Sequence, residues 1–563
     1  KQFFHWKLEF PEVFFDIDTG KQKQNPGFDA VVGNPPYGKA ISKEEELYDA
    51  DYPSDFYPYF VELGKGMISQ DGKLSYIVPT SWETGPNFDS FRKELLDGQF
   101  RSLINLPYDV FEDAYVDTCV FVWEREGHGN TYVSDFSGTR KNPRECINSP
   151  KFTEIDQSLW SKIGFISMDV NWLNVKERIE NRKDVEEFGE ITDSTRGVLV
   201  TEEALNSEPK DEKILNDSFL RYEPVEATDK VSYEQLKEKP PTKEFFKGPR
   251  LLIRRLVSRS DRLLGSYTEQ RLILKKDVYI FKSELSEKYL LSLINSRLLS
   301  WWHFNQELSA SKDDFRQVTL RALRDLPIVR SNTQETKELV GEIMRKTGAY
   351  NKINTNIKDY LGNYSDGERL GDICMPAEGR ADTILAETED DREGLKVERV
   401  RIEEDRGGLV LSASAKYKPE DEDEFDDEEF DRWGYVETDF FPAMRFDVGE
   451  KMEALIQEFV PVAVDNGDAG FKKKATSNIS LINRLEDIQL PKLSDVEDDL
   501  GKFIENKEKA EELEQEIQET DVLIDAIVFD LYDLTEEEVE TVLDSLDTEE
   551  DEKRRILEKF REQ

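Results

Sequence analysis

The segment Phe28-Asp29-Ala30-Val31-Val32-Gly33-Asn34-Pro35-Pro36-Tyr37 constrains the fold more than any other stretch. A short apolar run closed by Gly is how a buried parallel strand ends. Two successive prolines then stop the strand, because neither can donate to a ladder. Downstream, Phe56, Tyr59, Phe60, Leu63 and Met67 recur at helical spacing, and Asp71-Gly72 turns the chain into a strand over Leu74–Pro79. A helix over 88–97 and strands over 101–106 and 118–124 follow. The alternation predicts an open α/β sheet. In such sheets ligands bind beyond the carboxyl ends of strands, where Asn34 and Pro79 fall.

The surface of the chain is acidic. Its 563 residues hold 121 Asp and Glu against 76 Lys and Arg, a net charge of -45. Low apolar content with high charge is a signature of disorder, but 33 Phe, 20 Tyr and 8 Trp supply the large apolar side chains that build cores. A folded protein with an over-acidified coat is therefore expected. Such a coat suits the concentrated salt of a halophile, where charges are screened within ~3 Å at 1 M. Three Cys and three His lie scattered at no metal-ligand spacing, so no metal site is expected. No run approaches a membrane span and no leader is visible, which predicts a cytoplasmic protein. The first residue is Lys1 and enters at once into Phe3-Phe4-His5-Trp6, as the rear part of a longer protein would.

The tetrapeptide Asn34-Pro35-Pro36-Tyr37 would arise by chance in roughly one chain of this length in several hundred. Its chemistry is specific. An amino group on adenine, or a side-chain amide, is a poor nucleophile because its lone pair is delocalised into the attached π system. Acceptors on its two protons favour the pyramidal, nucleophilic form as positive charge develops on nitrogen. The Asn34 side-chain oxygen and the Pro35 carbonyl can be those acceptors, and the prolines limit reorganisation during reaction. Tyr37 offers a flat face to a planar substrate.

At these residues the sequence resembles a known family. Gly27-Phe28-Asp29-Ala30-Val31-Val32-Gly33-Asn34-Pro35-Pro36-Tyr37-Gly38, with Glu9-Phe10-Pro11-Glu12-Val13-Phe14 before it, is similar to the gamma-class N6-adenine DNA methyltransferases, and most of all to type IIG restriction-modification enzymes. The likeness continues through Gly72–Trp82 and Val110–Thr118. The resemblance implies S-adenosylmethionine as cofactor, double-stranded DNA as partner and base flipping. It implies catalytic roles for Asn34, Pro35, Pro36 and Tyr37, cofactor contact by Asn34 and Pro35, and base stacking by Tyr37 and Phe111. No acid/base pair is needed, because the methyl group departs from a sulfonium that leaves neutral. One departure stands out: the family's Gly-rich cofactor loop and its acidic partner strand are missing, since Gly64-Lys65-Gly66 lies in a helical pattern. An upstream chain or segment carrying that loop, and any nuclease domain, is expected.

Residues 247–276 hold nine basic and two acidic residues, an island in an acidic chain. Within it Arg250, Arg254, Arg255, Arg259, Arg262, Lys275 and Lys276 are the expected DNA contacts, since arginine reads guanine edges and pairs with phosphates. Arg250–Arg255 resembles the central strand of the family's recognition domain. Trp301, Trp302 and His303 end an apolar helix over 284–304 and read as core. The run 420–431, with ten carboxylates in twelve positions, reads as a solvated loop. The expected organisation is a Rossmann-like methyltransferase half over 1–150, a mixed α+β target-recognition domain over 151–330, an acidic mixed region over 331–485 and a helical C-terminus over 486–563. Two other readings use the same residues: a protein-glutamine or RNA methyltransferase, and a non-catalytic DNA-recognition subunit.

Overall fold

In a computed structural model, the run before Asn34 forms strand β1 (Phe28–Gly33), followed by helix α1 (Phe56–Met67) and strand β2 (Ile68–Pro79). Helix α2 (Asp89–Leu96), strands β3 (Gln99–Asn105), β4 (Thr118–Glu124), β5 (Asn130–Asp135) and β6 (Thr153–Asp156), and helices α3 (Gln157–Ile163) and α4 (Val170–Glu180) complete this region. The structure describes residues 4–39, 55–107, 110, 116–127, 129–137, 148, 150–215, 219–236, 243–257, 262–306, 316–331, 333–405, 407–419, 430–431, 433–467, 469, 471 and 478–563. Phe111, Arg259 and the acidic run over 420–429 lie outside the described residues.

The six strands make one mixed sheet in the order β1-β2-β4-β3-β5-β6. β1 runs parallel to β2, with Gly33 opposite Tyr76, while β4 lies antiparallel between β2 and β3. The fold is α/β, as the alternating pattern predicts. One face carries Leu74, Tyr76, Val78, Cys119 and Phe121, and α1, α2 and Trp82 pack on it. α1 approaches closely because Gly64 has no side chain: a Cβ there would lie 2.7 Å from Leu74 and 2.8 Å from the Tyr76 hydroxyl. Gly64 is thus a packing residue inside a helix.

β1 corrects one expectation. It is an edge strand, not a buried one: Asp29, Ala30 and Val32 are exposed, Val32 by 78%. Among the described residues it pairs only with β2, so its outer edge is open.

A second, four-stranded antiparallel sheet follows, built from β7 (Thr192–Arg196), β8 (Arg250–Arg254), β9 (Gly265–Thr268) and β10 (Val278–Ser283) in the order β9-β8-β10-β7. The Arg250–Arg254 strand is internal, as its resemblance to a central strand implies. The apolar segment expected as one helix is two, α5 (Glu287–Ile294) and α6 (Arg297–Gln306), with Asn295-Ser296 between them. Asn295 is buried there because its side chain both accepts from Gly265 N at 2.7 Å and donates to Gly265 O at 3.1 Å. Trp301, Trp302 and His303 are core, as expected. Short helix α7 (Leu320–Arg324) is capped by Thr319.

The chain divides into two compact units, one of residues 1–348 with 517–563, the other of 349–516. The second unit has a five-stranded sheet of β11 (Cys374–Pro376), β12 (Lys396–Asp405), β13 (Gly408–Tyr417), β14 (Phe441–Phe446) and Val436–Glu437. Helix α8 (Glu450–Asn466) buries Leu455, Ile456, Phe459 and Val460 in the same core. The region expected to be mixed and acidic therefore has a core of its own. Helix α9 (Leu493–Leu531) leads back to the first unit, followed by α10 (Glu536–Ser545) and α11 (Glu550–Glu562). The expected capping box starts α10: Thr535 N donates to Glu538 at 2.7 Å, and Glu538 N to the Thr535 hydroxyl at 3.3 Å. No helix among the described residues is long and apolar enough to cross a membrane.

Candidate active site and nucleic-acid interface

The parallel pairing of β1 and β2 sets Asn34 just past the carboxyl end of β1, beside the last turn of β2. Asn34 is exposed, Pro35 buried, Pro36 exposed and Tyr37 half-buried. The Tyr37 hydroxyl donates to the Ile77 carbonyl at 3.2 Å, so the loop is fastened to β2 at its far end as well as by its prolines. Burial, reinforced by Cys119, pushes the Tyr37 phenol up to about 12, so it stays a neutral donor at any working pH. Asn34 is thus exposed on a loop held by β1 before it and by the Tyr37 hydroxyl after it.

Behind the loop lies a polar cluster that the sequence alone does not reveal. Asn105, ending β3, donates to the Glu83 carboxylate at 3.3 Å, and Cys119 is fully buried beside them. Burial first, and the Glu83 charge second, raise the Cys119 thiol well above its ordinary range, so it is no nucleophile at neutral pH. Tyr57 and Ser81 share a hydrogen bond at 3.2 Å on the same side. A carboxylate just after a strand is too common to be noticed in sequence. Only the sheet order, which brings the ends of β2, β3 and β4 together, makes these residues a group.

The basic island fares differently. Arg250 is fully buried, and its guanidinium donates to the carbonyls of Gly248 (2.8 Å) and Gln270 (2.7 Å). Burial pulls it down to about 10. Arg262 is buried too, donating to Asn295 O at 2.6 Å and lying 3.7 and 3.6 Å from Asp521 and Asp525. Burial, with repulsion from Arg221 and Arg297, lowers it to about 10. These two corrections share one reason: the guanidiniums satisfy main-chain carbonyls and carboxylates inside the unit and are closed to a ligand. Arg254 donates to Phe219 O at 3.0 Å, and Arg255 to Asp277 at 2.8 Å and Gln317 at 2.5 Å. Lys275 is half-buried and Lys276 exposed. Arg250 and Arg262 therefore add nothing to a basic surface, while Lys247, Arg271 and Lys276 of the island are exposed. Cations from outside it, Arg196, Arg321 and Arg324, are exposed as well.

The arginines turned inward meet the returning C-terminal helix. Arg221 grips Asp521 through two hydrogen bonds of 3.0 and 2.8 Å, and Arg297 binds Asp525 through its main-chain N at 2.7 Å and its guanidinium at 2.5 Å. Burial would raise the Asp521 carboxyl, but Arg221 and Arg262 override it and hold it well below the ordinary range.

Comparison with known proteins is consistent with both halves of this description. Residues 1–111 match the family of the Eco57I restriction-modification methylase, and residues 210–328 match the TaqI-like C-terminal specificity domain. A putative type II restriction enzyme and methyltransferase of Methanocaldococcus jannaschii is 28% identical over 425 residues, 67% of this chain and 34% of the relative. The chain thus spans about a third of that relative's length. Among solved structures, the type IIG restriction endonuclease BpuSI is 16% identical at a TM-score of 0.26, covering 56% of this chain and 49% of that one. The type IIL restriction-modification enzyme MmeI in complex with DNA is 9% identical at a TM-score of 0.35, covering 57% and 50%. The two matched segments are what support a restriction-modification methyltransferase with a specificity domain.

Proposed function

We propose that this chain is the substrate-binding half and the recognition portion of a DNA methyltransferase that modifies the N6 amino group of adenine. The observation that carries the reading is the Asn34-Pro35-Pro36-Tyr37 loop, exposed at Asn34 and tied to β2 through Tyr37, at the carboxyl end of a parallel strand. The Asn34 side-chain oxygen and the Pro35 carbonyl accept the two amino protons of a flipped adenine. As the nitrogen gains a methyl group it becomes positive, and the fixed acceptors stabilise that charge more than they stabilise the planar ground state. One proton then leaves to water; carbonyl oxygens are too weakly basic to keep it. The Tyr37 ring, and Phe111 by its resemblance, stack on the base.

S-adenosylmethionine, when bound, supplies the electrophilic methyl. The residues present fit its reacting end only: Asn34 and Pro35 border that position, and Gly64 is occupied with packing on Leu74 and Tyr76. The open outer edge of β1 is where strands bearing a cofactor loop, and an associated nuclease segment, would continue the sheet. Base flipping follows from the chemistry, because an adenine amino group inside a duplex is out of reach.

The test is modification-sensitive sequencing of DNA from cells carrying the complete gene with Asn34 intact or changed to Ala. Removing one of the two acceptors should lower methylation by about 10²–10³-fold and erase one methyladenine motif. Retention of every motif in the Asn34→Ala strain would leave the chain as a DNA-recognition subunit without catalysis.

A further inference from the structure

The second sheet ends on strand β7, and a set of cations from three separate segments gathers along that edge. Arg196 closes β7, opposite Tyr279 of β10. Its Nε donates to the Lys276 carbonyl at 2.6 Å, which fixes the guanidinium over the turn before β10. Arg324 of α7 donates through Nε to the Ser194 hydroxyl at 2.8 Å, two residues back on the same face of β7. Arg321 lies one turn earlier on α7 and is exposed, as is Lys276. Arg255 closes the group from the other side of the turn.

Among the described residues, one carboxylate sits in this group. Asp277 accepts from Arg255 at 2.8 Å and lies 3.8 Å from Arg196. Arg255 is held a second time by Gln317, so both of its ends are occupied. Among the described residues the flanking acids are Asp325, half-buried at the end of α7, and Asp193, which points the other way into a cleft of about 690 Å³ lined also by Glu186, Glu190, Glu244 and Glu284, with Lys282 and Arg330 as its two cations. The edge is thus basic on one side and bounded by an acidic cleft on the other.

We propose that Arg196, Lys276, Arg321 and Arg324 are the surface that takes duplex DNA, with Asp277 and Arg255 as positioning residues that hold Arg196 in place. The proposal rests on the DNA-methyltransferase reading for its ligand and joins Lys276 of the sequence island to cations from two other segments. Arg196 and Arg324 are fixed by main-chain and hydroxyl partners and are nonetheless exposed, the condition for base-edge contact. Lys276 and Arg321 are freer and suit phosphates. The acidic cleft repels the backbone and sets where the footprint ends.

The experiment is fluorescence anisotropy of a labelled mixed-sequence duplex with the full chain across a salt series, without cofactor. Arg196→Gln with Arg324→Gln should weaken binding at least tenfold. Lys276→Ala should flatten the slope of log K against log salt by about 0.9, the value of one phosphate contact. The comparison pair is Lys247→Ala with Arg271→Ala, in the sequence island but ion-paired to Glu244 (2.7 Å) and to Glu212; it should stay within about twofold, as surface changes away from a site do. Equal losses from both pairs, or none from the first, would overturn the placement. Thermal melts guard against misfolding, and exposed Lys276 supplies a readout even if the double variant is unstable. A wild-type chain that binds no duplex at any salt would instead sink the DNA reading itself.

Discussion

The loop at Asn34 and the strand at Arg250 each begin as a conspicuous word in the sequence, and they end in opposite situations. Asn34 stands exposed on a backbone fixed by the strand before it and two prolines, with one tie beyond its neighbours, the Tyr37 hydroxyl on the Ile77 carbonyl. Arg250, in the most basic stretch of an acidic protein, is fully buried and, among the described residues, donates to main-chain carbonyls alone. A turn built on two prolines is settled largely by its own residues, so its exposure can be anticipated from the sequence. A charge is settled by whatever faces it, and what faces Arg262 of this segment comes from about 260 residues away, in Asp521 and Asp525.

The strongest way to break this contrast is to attack the carboxylates that the inward arginines meet. Asp525→Ala would leave Arg297 and Arg262 buried with one partner fewer. Removing one member of a buried pair costs about 3–5 kcal/mol, and chemical denaturation of the chain should show a loss of that size. A loss under about 1 kcal/mol would mean that water reaches these groups, and the island would again be a candidate surface. Arg250→Ala comes next. Its two charge-assisted bonds to carbonyls predict a loss of about 2 kcal/mol in the same measurement, with DNA affinity at matched folded fraction unchanged.

His303 sharpens the same point with pH. It is buried beside Phe304, and burial alone pulls its imidazole down to about 4. In the unfolded chain it protonates near pH 6.5, so between about 6.5 and 4 the unfolded state binds the extra proton. Stability contributed by neutral His303 is therefore full above pH 6.5 and falls on acidification, by about 2 kcal/mol at pH 5. Melts of wild type and His303→Asn at pH 7.5 and 5 check this: the wild type should lose that much more than the variant, because Asn cannot titrate. Identical acid sensitivity would place the imidazole in contact with solvent.

How much of this was readable beforehand follows from range of interaction. The strand–loop–helix order, the cap at Thr535 and the core at Trp301-Trp302 rest on periodicity and on local hydrogen bonds, and sequence spacing carries both. The exposure of β1 was not readable, since apolar content says nothing about how many neighbours a strand has. The break at Asn295 was hidden because its cause, the two bonds to Gly265, lies in another strand. The Glu83–Asn105 pair and the Arg196–Arg324 edge were invisible for the same reason: each joins elements whose adjacency is set by sheet order.

The smallest effect tests the other side of the contrast, the claim that the Asn34 loop is fixed locally. Tyr37→Phe keeps the ring and removes only the hydroxyl bond to Ile77 O. A neutral hydrogen bond of this kind is worth about 1 kcal/mol net, so methyl transfer by the complete enzyme should fall about fivefold, chiefly in kcat, because the loop that carries the acceptors gains freedom while the stacking face stays. The profile should be flat with pH up to about 11, as the phenol titrates only near 12. If Tyr37→Phe matches wild type while Tyr37→Ala is impaired, the ring alone matters and the prolines hold the loop unaided. If Phe and Ala variants are equally impaired, the hydroxyl anchor outweighs the stack, and the loop depends on β2 as the arginines depend on their distant partners.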